Sequence, residues 1–239
     1  MQSTLGEFQE TASQEAFTLQ NSKLLKVSLQ QITIHAKLGS MVAYQGDVKF
    51  EHAGSGGMSR LVKKAVTGEG TSLMKISGSG EVFLADTAQD IHLIKLENDQ
   101  ITCNGSNVLA FDAGIDWGIK REKGVGAMAG GLFNMALSGS GWVAIISDGP
   151  PVLLTTGDTP THADPSAAIT WASSVQTSIK TDVNLKTLIG KGSGETVQMS
   201  FSGPGWLLVQ PSEERVQPTA AGGSGGGGGG GGILGNLTN

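Results

Sequence analysis

One ten-residue phrase occurs three times in this sequence: ISGSGEVFLA at residues 76–85, LSGSGWVAII at residues 137–146 and FSGPGWLLVQ at residues 201–210. Each copy has an apolar residue, a Ser-Gly-x-Gly corner and then a run of β-branched, aromatic and aliphatic residues. The first corner glycines are 61 and 64 residues apart, a period that suits a small all-β unit better than a short solenoid repeat. The sequence therefore predicts three tandem β-modules.

Paired glycines define the corner of each copy. Because glycine accepts a positive φ and close approach of another backbone, each pair predicts a sharp bend between two strands. The predicted structural corner residues are Gly78, Gly80, Gly139, Gly141, Gly203 and Gly205. Since the serines recur with the corner, we interpret them as structural and predict no catalytic residue among them.

An aromatic landmark precedes each corner. Tyr44, Phe111 and Trp171 lie 34, 28 and 32 residues before the first corner glycine of their copies. An alternating apolar and polar stretch follows each aromatic, as in Asp47–Glu51, and this period of two is typical of a half-buried strand. A glycine-bearing bend lies between landmark and corner in every copy, at residues 68–70, 130–131 and 192–195.

These landmarks divide the chain. We predict a polar lead at residues 1–15, β-modules at residues 16–95, 96–156 and 157–213, and a flexible glycine-rich tail at residues 214–239. The tail ends in a small apolar hook, Ile233 to Leu237, which offers a docking segment for a neighbouring subunit. Two short helices are predicted, at Met58–Val66 and, on a weaker pattern, at Gly124–Asn134. The fold class is all-β.

Composition limits the compartment and the partners. No stretch reaches the roughly 18 to 20 apolar residues of a membrane-spanning helix, and the acidic start is unlike a targeting peptide. A single cysteine, Cys103, excludes an internal disulfide and suits a reducing compartment. We therefore expect a cytoplasmic protein. The net charge of -5 argues against binding nucleic acid, although two basic clusters occur, around Lys63 and Lys120.

Candidate chemical motifs have simpler structural interpretations. The four histidines, His35, His52, His92 and His162, lack metal-ligand spacing. The aspartate pairs Asp86/Asp90 and Asp112/Asp116 lack the glycine pattern of a calcium loop. The GVGAMAG stretch at residues 124–130 lacks the β-α-β context of a dinucleotide fingerprint. We predict no catalytic residue, metal or cofactor.

A family resemblance rests on the three corners, on GSMVAY at residues 39–44 and on GLFNMALSGSG at residues 131–141. Over about residues 16–212 the chain resembles the family named for altered inheritance of mitochondria, which is widespread in bacteria. The resemblance implies three units similar in fold to the tryptophan RNA-binding attenuation protein, a double-stranded β-helix variant. It also implies that three chains close a ring of nine units, and it implies no particular chemistry.

Edge strands give the assembly a physical reason, because three tandem units leave two outer edges that must be covered. Head-to-tail closure between chains removes both edges. We therefore predict a non-enzymatic scaffold or binding platform, a homotrimer that interacts with itself. The alternative is a regulator that binds a ligand or RNA in grooves between the modules.

Overall fold

The structure, a computed structural model, describes residues 3–30, 32–52, 72–121, 133–181 and 197–212. In this part of the chain the helices are two short 3-10 turns, Leu5–Phe8 and Gly105–Asn107, and strands dominate. The strands are β1 (Phe17–Asn21), β2 (Leu24–Ser28), β3 (Ile34–Lys37), β4 (Met41–His52), β5 (Leu73–Leu84), β6 (Asp90–Asn104), β7 (Val108–Asp112), β8 (Asp116–Arg121), β9 (Phe133–Ser147), β10 (Val152–Thr156), β11 (Thr161–Ala163), β12 (Ala168–Ala172), β13 (Gln176–Thr181), β14 (Val197–Ser202) and β15 (Gly205–Val209). The all-β prediction is confirmed.

Several predicted features lie outside the described residues. They are the helix at Met58–Val66, nearly all of the helix at Gly124–Asn134, the three glycine-bearing bends and the tail at residues 214–239. The last two residues of the second predicted helix belong to β9. The predicted module boundary between residues 95 and 96 lies within the continuous strand β6.

The corner glycines bend a strand rather than reverse it in the first two copies. Gly78 lies within the continuous strand β5 and Gly139 within β9, whereas the third corner separates β14 from β15. The bend matters because the two halves of a corner strand pair with different neighbours. Residues 73–76 of β5 pair with β3, and residues 81–84 pair with β2. Each corner thus leads one strand from one group of strands into another.

Three structural units share one plan. In each unit the corner strand pairs on both sides, and we call the two flanking sets of strands the first line and the landmark line. The first line consists of β2 and β3 in the first unit, of β6 in the second, and of β10 and β11 in the third. The landmark line, which carries the aromatic landmark, consists of β4 in the first unit, of β7 and β8 in the second, and of β12 and β13 in the third. The corner line is β5, then β9, then β14 and β15. We call these unit 1 (residues 24–84), unit 2 (residues 90–147) and unit 3 (residues 152–209).

Strand register shows that the aromatic landmarks are equivalent. Tyr44 pairs with Val82, Phe111 with Val143, and Trp171 with Leu207. Each partner lies four residues after the first corner glycine of its own unit. Positions in the three units can therefore be compared one to one.

Neighbouring units join through their strands. The first line of unit 1 pairs with the landmark line of unit 2 through β3 and β7, and β6 of unit 2 pairs with β12 of unit 3 in the same way. Each junction completes a run of six strands. The first run is β6, β9, β7, β3, β5 and β4, and the second is β10, β15, β12, β6, β9 and β8.

Each junction also shares a hydrophobic core. A cluster centred on unit 1 takes in Leu109 and Ala144 of unit 2, and a cluster centred on unit 2 takes in Ile169 of unit 3. The third cluster contains residues of unit 3, with Trp171 and Phe201 as its largest side chains. Each unit after the first therefore places apolar side chains into the core of the unit before it.

Candidate assembly surface

The six predicted corner glycines do not all have the same backbone conformation. Gly78, Gly80, Gly139, Gly141 and Gly203 have positive φ, and Gly205 does not. The predicted aromatics differ sharply in exposure. Phe111 and Trp171 are buried, whereas Tyr44 is half exposed. The structure does not bring these nine residues into one site, because they recur at equivalent places in three units.

The exposure of Tyr44 extends to the residues before it on β4. Val42 has 61% of its surface exposed, while its equivalents Leu109 and Ile169 are fully buried. Met41 and Ala43 are exposed as well, although the equivalent residues are buried. One segment, Met41–Tyr44, thus carries an apolar surface that both of the other units bury.

The cause lies in the order of the units. Leu109 packs in the core of unit 1, and Ile169 packs in the core of unit 2. Val42 belongs to unit 1, and among the described residues no repeat unit precedes unit 1 to cover it. Burying a side chain of this size contributes about 1.5 to 3 kcal/mol, so the exposed segment is a sizeable unused source of binding free energy.

The strand pairings leave two matching ends. One end of the sheet consists of four neighbouring strands, in the order β1, β2, the second half of β5 and the first part of β4. Within β4, Met41–Gln45 pairs only with β5 among the described residues. At the other end, β11, β14 and β13 form a separate three-stranded sheet, and β11 pairs only with β14 in the described part of the chain. In the two complete runs, equivalents of these ends pair with each other.

Sequence reasoning identified Tyr44 but missed Met41 and Val42. Their residue types do not predict their exposure, because the equivalent positions in the other units are also apolar. The available signal was the alignment of MVAY with VLAF and AITW, together with the fact that unit 1 comes first. We name Met41–Gln45 the head edge and Thr161–Ala163 the tail edge.

A second candidate feature is an apolar groove between units 2 and 3, with a volume of about 230 Å³. The residues that line it are His92, Ile94, Ile145, Leu153, Trp206 and Leu208. Burial lowers the pKa of His92, and the nearby Asp90 carboxylate opposes that shift only partly. The imidazole is therefore neutral at pH 7, and its Nε2 lies 2.8 Å from Ser147 Oγ. The groove lining therefore suits an alkyl or aromatic group, and a charged end of such a molecule stays outside the groove.

Three of the four aspartates considered from the sequence have structural partners. Asp112 Oδ2 accepts a hydrogen bond from the Trp142 backbone N–H at 2.6 Å, Asp86 pairs with Lys37, and Asp90 pairs with Lys23. Cys103 is buried and donates to Thr170 Oγ1 at 3.2 Å. Among the described residues no three His, Cys, Asp or Glu side chains are grouped to hold a metal ion.

Other sequence features cannot be placed. The GVGAMAG stretch and the basic cluster around Lys63 lie outside the described residues, and of the cluster around Lys120 only the lysine itself is described in full. Within the part of the chain that the structure describes, no helix has the length and apolar character to cross a membrane.

Fold and surface together define an all-β protein of three tandem units, whose head and tail edges each pair on one side only among the described residues. Residues 17–212 match the family described as mitochondrial biogenesis AIM24, and the chain belongs to that family, which confirms the resemblance found in the sequence. A crystal structure of protein SPYM3_0169 from Streptococcus pyogenes is similar, with a TM-score of 0.68 at 22% identity. The match covers 82% of this chain and 92% of that chain, and it supports the fold alone. No curated protein matches the chain.

Proposed function

We propose that this chain is a non-enzymatic scaffold whose copies assemble head to tail into a closed ring. The head edge of one copy pairs with the tail edge of the next and repeats the junctions between units 1 and 2 and between units 2 and 3. The observation that carries the proposal is the exposure of Val42, whose equivalents are buried by a preceding unit. The third unit of another copy supplies that missing unit.

Three copies are proposed for the ring, the number that the sequence resemblance implies. A head-to-tail interface either closes or forms an open filament. Closure also covers the head edge and the tail edge, which otherwise invite uncontrolled pairing. A ring of this kind is a platform with repeated, equivalent surfaces. We place it in the cytoplasm, as the sequence predicts.

Native mass spectrometry of the untagged protein tests the assembly. We expect a species of about 74 kDa, three times the 24.5 kDa of one chain. Replacing Val42 with Asp places a carboxylate where an apolar core should form, and such burial is costly without a partner. Val42→Asp should therefore be a folded monomer, with folding checked by circular dichroism.

The matched control is Leu153→Asp. Leu153 is about as exposed as Val42, at 65%, but it lines the groove between units 2 and 3 and belongs to neither edge. This variant should remain a trimer. A wild-type monomer, or a Val42→Asp variant that assembles normally, would contradict the proposed interface.

The groove favours a second candidate function, binding of a small apolar ligand between units. Dodecanoate is a suitable probe, because an alkyl chain matches the lining of leucine, isoleucine and tryptophan side chains. Titration of dodecanoate followed by calorimetry should show binding to the wild type and none to Leu153→Asp. Equal binding by the two proteins would place the alkyl chain elsewhere, and no binding by either would reject this function.

A further inference from the structure

The polar lead before β1 is anchored to unit 1 by side chains. The Gln20 side chain accepts a hydrogen bond from the Thr11 N–H at 2.8 Å and donates one to the Gln9 carbonyl oxygen at 2.9 Å. Between these two residues, Glu10 accepts a hydrogen bond from Gln45 Nε2 at 2.7 Å. Its other carboxylate oxygen lies 3.9 Å from Lys26 Nζ. The lead therefore crosses β1, β2 and the head edge.

The face that the lead covers can be identified from the repeat. Lys26 lies opposite the residue five positions after the first corner glycine, and Glu81 lies three positions after that glycine. Their equivalents are the apolar pair Leu93 and Trp142 in unit 2 and the apolar pair Leu153 and Trp206 in unit 3.

Those equivalents show where the face points. Leu93 and Trp142 pack against the core of unit 1, and Trp206 packs against the core of unit 2. In both cases the neighbour is the preceding unit. In unit 1 the same face carries an ion pair, with 3.2 Å between Lys26 and Glu81, and the Glu10 carboxylate is added to it. The lead thus lies on the side of unit 1 that faces the preceding copy in the assembled ring.

Apolar side chains are exposed on both sides of that boundary. Leu5 and Phe8 of the lead are exposed, Phe8 at 74%. On unit 3, Val152 is 56% exposed, although its equivalent in unit 1, Leu25, is fully buried. Val152 lies opposite Val209, so the two side chains share one face of the sheet, and Val209 packs against the core of unit 3. Val152 therefore lies on the side of unit 3 that a following unit covers.

We propose that the lead is a strap across the subunit boundary, with Leu5 and Phe8 of one copy packed on Val152 of the preceding copy. This inference rests on the proposed head-to-tail assembly. The strap lies before residue 17, where the family match begins, so it is an addition to the shared β-units. At the internal junction between units 1 and 2, Leu93 and Trp142 make the apolar contact with the preceding unit. At the subunit boundary, the strap makes this contact with residues that lie outside the repeat.

Photo-crosslinking tests the strap. The photoreactive amino acid p-benzoylphenylalanine is incorporated at position 8, and a mixture of ¹⁵N-labelled and unlabelled copies is irradiated. We expect covalent dimers whose crosslinked peptides join labelled and unlabelled chains and map to β10. The same amino acid at position 153 is the control, and it should crosslink within one copy, to the groove of unit 2.

The outcomes separate the two proposals. A trimer by mass whose position-8 probe crosslinks only within its own copy, or to another strand, overturns the strap and leaves the ring intact. A monomer overturns both. As a second measurement, the double variant Leu5→Ser, Phe8→Ser should raise the concentration at which the ring dissociates by roughly tenfold or more, since tenfold corresponds to about 1.4 kcal/mol. An unchanged dissociation concentration overturns the strap.

Discussion

Gly78 and Gly139 occupy equivalent positions and have nearly equal φ angles, +125° and +124°, yet their surroundings differ. A Cβ atom at Gly78 would lie 2.1 Å from the Asp47 carbonyl oxygen, whereas at Gly139 the nearest atom would be 3.8 Å away. Gly139→Ala therefore costs backbone strain alone, about 1 to 3 kcal/mol. Gly78→Ala also forces the backbone of β4 to move, and it should cost more.

Urea unfolding at one fixed protein concentration compares the two alanine variants. A larger loss of unfolding free energy for Gly139→Ala than for Gly78→Ala would contradict the explanation by close backbone contact. The comparison also tests the corner as a whole, because two stable variants would mean that neither bend needs glycine.

Asp112 gives a prediction about pH. Burial raises the pKa of its carboxyl group above the usual value of 3.8, and the hydrogen bond from the Trp142 N–H opposes that shift only partly. Because the folded pKa is the higher one, the stabilising contribution is complete below the unfolded pKa and is lost as the pH rises through the folded pKa. Asp112→Asn keeps an acceptor and removes the charge, so it should lessen the decline in stability with rising pH.

The control for this effect is Asp112→Ala, which leaves the Trp142 N–H without its acceptor and should destabilise the fold at every pH, by about 1 to 3 kcal/mol. Urea midpoints measured from pH 4 to pH 7 distinguish the variants. An Asp112→Asn protein with the same pH dependence as the wild type would contradict the assignment to this carboxyl group.

At the scale of the elements, the internal junctions define the register of the proposed interface. Ala36 pairs with Ala110 across the first junction, and Cys103 pairs with Thr170 across the second. The equivalent pair across the proposed subunit boundary is Ala163 with Ala43, and beside this pair we expect His162 to lie opposite Tyr44. Cβ atoms directly opposite are about 4.5 to 5.5 Å apart, close to the range that a disulfide needs.

The variant Ala43→Cys, Ala163→Cys should therefore form disulfides between copies under mild oxidation, seen as covalent dimers and trimers on a non-reducing gel. Cys103 does not interfere, because burial raises the pKa of its thiol to about 12 and keeps it protonated. The offset pair Ala43→Cys, Thr161→Cys lies diagonally, at about 7 to 8 Å, and should form disulfides more slowly. Faster bonding by the offset pair would mean that the register is shifted by two residues.

The sequence was sufficient to predict the strands and the repeat, because alternation and glycine spacing are local patterns. It did not show that Gly78 and Gly139 would lie inside continuous strands, since glycine permits both a bend and a reversal and the partner strands decide between them. Nor did it distinguish Val42 from Leu109 and Ile169. All three are apolar, and exposure depends on which unit stands in front, a property of the whole chain.

At the scale of the whole molecule, the proposed interface has two different surfaces, and Val42→Asp blocks only the head edge. A Val42→Asp copy keeps a working tail edge, so it can hold the head edge of a wild-type copy. It cannot itself be held by another tail edge. In a mixed assembly it must therefore occupy one end of an open row, and each row has only one such end.

Refolding an equal mixture of ¹⁵N-labelled Val42→Asp and unlabelled wild type should thus give mixed oligomers that contain one labelled copy and never two. Native mass spectrometry counts the labelled copies directly. Wild-type rings in the same sample are the internal control for refolding. Oligomers with two or more labelled copies would show that a blocked head edge still pairs, and a complete absence of mixed species would indicate an interface in which both partners use their head edges.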